Sequence, residues 1–178
     1  MSDQEHHSSG LKGVIDKAQD MMGGAVGMAS AAAASRDTET FVTSASIGDL
    51  YEIEAGRMAA LRGQSDQVRT LGAMMVEHHT TSMHQMQSAL MSSETPDLTP
   101  TTALDQRRRG MIDNLTDATD DNFDKRYLDQ QRLAHQETLA LLKRYAEHGD
   151  NPQFRSVAMG ALPMVERHLK MLTSAAAG

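Results

Sequence analysis

The sequence predicts an all-α chain, a four-helix bundle with a short extra helix in its long connection and a tail or helix before it. Three observations carry this. The composition is rich in Ala, Met, Leu, Gln and Glu with only 3% aromatics, which favours helices over sheets. Apolar residues recur every three or four positions through four long segments, the period of a buried helical face. Gly, Pro and capping residues separate those segments.

Residues 1–36 differ from the rest and are read as an N-terminal tail or docking segment, a candidate attachment point for a partner or a second copy in a homo-oligomer. They run from His6 and His7 through an amphipathic piece, Leu11 to Met22, into a Gly/Ala-rich stretch. That stretch falls short of the roughly 18 strongly apolar residues expected of a spanning helix. Its acidic start lacks the order of a signal peptide, so the cytoplasm is the expected compartment, with export to the periplasm as the alternative.

The bundle domain is expected over 37–178. Asp37 or Thr38 caps the first helix, whose stripe runs Phe41, Ala45, Gly48, Glu52, Ala55 and Ala59 to a stop at Gly63. Ser65 and Asp66 open the second, with Val68, Leu71, Met75, His79, Met83, Met86 and Leu90 on one face, ending near Ser92 ahead of Pro96 and Pro100. Prolines force the preceding backbone out of the helical region, so a connector follows. A short helix from about Ala103 to Leu115 occupies the crossover. Asp121 or Asn122 starts a third long helix with Leu128, Gln131, His135, Thr138, Leu142 and Tyr145, stopped at Gly149. Asn151 before Pro152 is a cap followed by a first-turn proline, opening a fourth helix with Phe154, Val157, Ala161, Val165, His168 and Leu172.

Composition also excludes functions. A net charge of -7 repels a phosphate backbone, so no nucleic-acid partner is expected. Arg107, Arg108 and Arg109 are read as a solvated face. With no cysteine, zinc thiolates, iron–sulfur clusters and thiol nucleophiles are ruled out, and any metal must be held by nitrogen, oxygen or thioether. No nucleophile elbow or phosphate loop is present.

Each long helix carries one metal-competent side chain in its apolar stripe: Glu52, His79, His135 and His168. A carboxylate and three imidazoles in a core are costly unless paired or metal-bound, so the four are the candidate ligands of a divalent ion. The ligand set suits iron, zinc or copper without deciding among them. His168 is expected about five residues past the middle of its helix, a stagger of roughly 7 Å. Glu54 and His78 should point away from the site, and His84 and His148 should lie at the surface. Met75, Met164 and Met171 would suit copper, and core packing is the commoner use of such thioethers.

Four blocks, LYEIEAGRMA around Glu52, MMVEHH ending at His79, FDKRYL followed by AHQ at His135, and LPMVERHL at His168, resemble the ferritin-like family known as domain of unknown function 4142 over about residues 41–172. That resemblance implies a ferritin-like bundle with family-typical histidines and no established activity, and export is common among relatives. The chain departs from the two-iron ferritin pattern of Glu-x-x-His, having Val76, Arg132 and Val165 three residues before the histidines. Two functions therefore compete: a metal-binding bundle serving redox or stress protection, and a non-catalytic helical stress or interaction protein without stoichiometric metal.

Overall fold

Five α-helices account for the regular structure in the computed structural model, which describes residues 36–92 and 98–176. The docking tail proposed for residues 1–36, Arg36 apart, and Pro96 lie outside the described residues. The helices are α1 (Thr38–Arg62), α2 (Asp66–Ser92), α3 (Gln106–Thr116), α4 (Asp120–His148) and α5 (Pro152–Ala175).

Most boundaries follow local chemistry. The Asp37 side chain accepts from the Thr40 backbone N–H and caps α1, and Asn151 does the same for Gln153 and Phe154 ahead of Pro152, satisfying donors that a helix start leaves orphaned. The short helix begins three residues later than expected, because the Asp105 carboxylate accepts from Arg108 N and fixes the start there. Thr119, not Asp121 or Asn122, precedes α4. Pro163 sits inside α5 without ending it.

α1 pairs with α2 and α4 with α5. The pairs are joined by α1 lying against α4 and α2 against α5, while α3 packs on α1 and α4. Gly56 and Gly72 set the α1–α2 crossing. A Cβ on Gly56 would stand 2.8 Å from the Gly72 carbonyl oxygen, and one on Gly72 would stand 2.6 Å from that of Gly56.

Each end of the bundle is fastened separately. At one, Arg62 donates to the carbonyls of Leu115, Thr116 and Ala118 at the end of α3, and the Asp124 carboxylate accepts from Gln64 N and Ser65 N in the α1–α2 turn. At the other, Thr38 Oγ1 lies 2.7 Å from the Tyr145 hydroxyl, Asp150 N donates to Arg36 O, and Phe41 stacks on Tyr145.

Arg108 corrects the expectation of a solvated basic face. It is buried, donates to Glu137 and lies over the Tyr51 ring, and Arg107 grips the same carboxylate. These contacts pin α3 across α1 and α4.

The apolar interior falls into two clusters. One contains Tyr51, Ala55, Leu71, Met75, Tyr127 and Leu172, and the other Phe41, Met86, Leu142, Phe154 and Val165. Along every long helix, the break between them is filled by polar residues.

Candidate metal centre

The polar layer consists of Asp49 and Glu52 on α1, His79 on α2, Gln131 and His135 on α4, and His168 on α5, all buried. Helical spacing explains the stacking. Tyr127, Gln131 and His135 follow one another at intervals of four on one face of α4. The crossing of the glycines sets the α1–α2 register: Asp49 lies seven residues before Gly56 and His79 seven after Gly72. In an antiparallel pair, both positions are about 10 Å along the axis from the crossing, on the same side of it.

One ring nitrogen from each of His79, His135 and His168 lies within 4.8 Å of the other two, and the three residues are 0 to 3% exposed. His135 Nε2 and His168 Nδ1 are 3.2 Å apart. Two nitrogens at about 2.0 Å from one tetrahedral ion stand roughly 3.3 Å apart. Closing the triangle onto an ion therefore requires movements of an ångström or so.

The remaining ring nitrogens are tied back. His79 Nδ1 donates to the Asp49 carboxylate at 2.7 Å, His135 Nδ1 donates to the Gln131 carbonyl at 2.9 Å, and His168 Nε2 lies 2.7 Å from His78 Nδ1. Each imidazole thus has one nitrogen held by the protein and one turned to its fellows. Such outer partners fix tautomer and orientation in metal-binding histidines. His79 Nε2 has no protein partner, which fits an ion better than a satisfied core.

The electrostatics separate the rings. Burial holds His135 and His168 down to about 3, helped for His135 by His79 and for His168 by His135 and His79, so both are neutral. Burial pulls His79 the same way, but the Asp49 hydrogen bond, the Asp49 charge and Glu52 together outweigh it and raise its pKa. Burial raises Glu52 against the opposing influence of His79, Arg108 and the Gln131 amide. Tyr127 is pushed well above the ordinary phenol value by burial first, then by Glu52 and Tyr51.

Of the four residues singled out from the sequence, the three histidines converge and Glu52 stands beside them. Its Oε1 is 3.5 Å from His135 Nδ1 and its Oε2 has no protein partner. His168 reaches the layer despite its stagger: the His135 and His168 ring centroids are 5.3 Å apart. His78 departs from expectation. Turned about 100° around α2 from His79, it faces α5 rather than solvent alone and stacks on His168 at 5.0 Å. Asp49 escaped the sequence reading, although its place three residues before Glu52 puts both acids on one side of α1.

A family model described as a domain of unknown function, DUF4142, matches residues 24–174. No curated protein and no solved structure matches the chain.

Proposed function

We propose a metal-binding role for this chain, which belongs to the DUF4142 family and takes no activity from that family's description. His79, His135 and His168 are the ligands of one divalent first-row ion. The carrying observation is the meeting of three buried, protein-anchored imidazoles with one nitrogen each turned inward.

Glu52 is the proposed fourth member. A cation beside it would favour its ionised form, and a carboxylate would offset part of the ion's charge in a core with little water. Three nitrogens and one oxygen suit iron, zinc or copper. With iron or copper, redox protection is the function such a site would serve.

The test is elemental analysis of tag-free protein purified without chelator, alongside His79→Ala and His135→Ala. About one equivalent of metal in the wild type, lost in both variants, is the expected result, with Glu52→Gln weakening binding less. Substoichiometric metal indifferent to the histidine changes would overturn it.

A second reading has its own observation. His135, His168 and His78 form an unbroken hydrogen-bonded chain that satisfies those rings without an ion. That arrangement fits a helical interaction protein, and the same elemental analysis separates the two.

A further inference from the structure

We infer that His78 is an outward-facing metal-binding residue, the post at which a divalent ion passes between solvent and the three buried histidines. This rests on the metal-binding reading above and adds to it a route and a residue.

The route is needed because the layer is sealed. Its three rings are buried, and an apolar cluster closes it on either side along the bundle axis. A bare ion crossing such a wall would lose its hydration with nothing in exchange. The seam between α2 and α5 offers an exchange. His78 is half-buried, and its Nδ1 lies 2.7 Å from His168 Nε2 with the two rings stacked 5.0 Å apart and 2° from parallel. His168 therefore has one nitrogen facing the half-exposed ring and the other facing His135 Nε2 at 3.2 Å.

An ion captured by His78 Nδ1 and His168 Nε2 at the seam would leave His78 as the His168 ring turns inward with it, and would then be taken up by His135 and His79. The pair must open by about half an ångström to hold an ion, since two nitrogens on one centre stand roughly 3.3 Å apart. The flanks can yield: Met74, one turn before His78, and Met164 and Met171, one turn either side of His168, are only partly buried. Unbranched thioethers change rotamer readily and leave space for a passing ion.

The alternative role for His78 is to orient His168, and kinetics tell the two apart. The experiment loads the full-length apo-protein with Co2+ in a stopped-flow spectrometer, then strips it with a chelator, for wild type, His78→Ala and His78→Gln. Passage through His78 predicts that uptake and release both slow at least tenfold in both variants, with one equivalent of Co2+ still bound at saturation. Unchanged rates, or faster release with a weaker dissociation constant, would overturn the inference while leaving the three-histidine site standing. A wild type that binds no Co2+ would remove the metal reading and this route with it. Circular dichroism of the variants confirms that they fold, and Gln keeps a hydrogen-bonding group opposite His168 should Ala disturb the seam.

Discussion

Asp49 holds the proton on His79 Nδ1 and so decides that Nε2 is the nitrogen with a free lone pair. Asp49→Asn should leave the fold intact and weaken metal affinity about 10- to 100-fold, the usual cost of losing an outer partner, measured by competition with a chromophoric chelator. The histidines also set a pH dependence for the metal-free protein. His135 and His168 are held down to about 3 in the folded state from an ordinary 6.5. Between those values the unfolded chain takes up protons that the folded chain refuses, so stability is complete above 6.5 and falls as pH drops. Each ring contributes a slope of about 1.4 kcal/mol per pH unit. Glu52, with its raised pKa, opposes this above its ordinary 4.5. His79, also raised, acts in the other window: its contribution is present below 6.5 and lost as pH rises through its folded value. Urea midpoints of apo-protein should therefore fall from pH 6.5 to 5, and the slope should flatten in a His135→Gln/His168→Gln double variant. The three histidines were legible because each interrupts an apolar stripe. Asp49 was not, since an acid beside a stripe on a single helix looks like any solvated carboxylate until the facing helix is in register.

At the scale of elements, two features hold the site at its level. The first is the glycine contact between α1 and α2, where no side chain fits between the backbones. Gly72→Ala should push the helices apart and cost about 1 to 3 kcal/mol, the range for overpacking, read from chemical denaturation. It should also loosen metal binding, because Asp49 and His79 separate with their helices. The second is α3, pinned by a carboxylate that serves two arginines. Glu137→Leu leaves buried Arg108 without its partner and should destabilise by about 3 to 5 kcal/mol. An Arg108→Met/Glu137→Leu double variant should recover part of that loss. α3 was legible in the sequence, and the burial of Arg108 was not. The pairing with Glu137 spans 29 residues from Arg108, and helix periodicity carries no information over that distance.

For the whole molecule, the polar layer means that the two apolar clusters do not merge, and what spans the break is the set of contacts among Asp49, His79, His135 and His168. An ion there would tie α2, α4 and α5 together. Free metal at 100 times its dissociation constant should raise unfolding free energy by about 2.7 kcal/mol, visible as a higher melting temperature that a His79→Ala variant does not show. The four-helix count and the two helix pairs were legible because stripes, caps and stops agree along the chain. The division of the core was not, because it depends on which stripe positions share a level once the helices are packed. The equal spacing of Asp49 and His79 from the Gly56–Gly72 crossing bears finally on which changes of chain length the protein can absorb. An added residue in the Gly63–Ser65 turn moves neither partner relative to the crossing. One added between Asp49 and Gly56, or between Gly72 and His79, rotates the partner by about 100° and takes it out of the layer. Insertions and deletions should therefore gather in the turn and spare both seven-residue intervals.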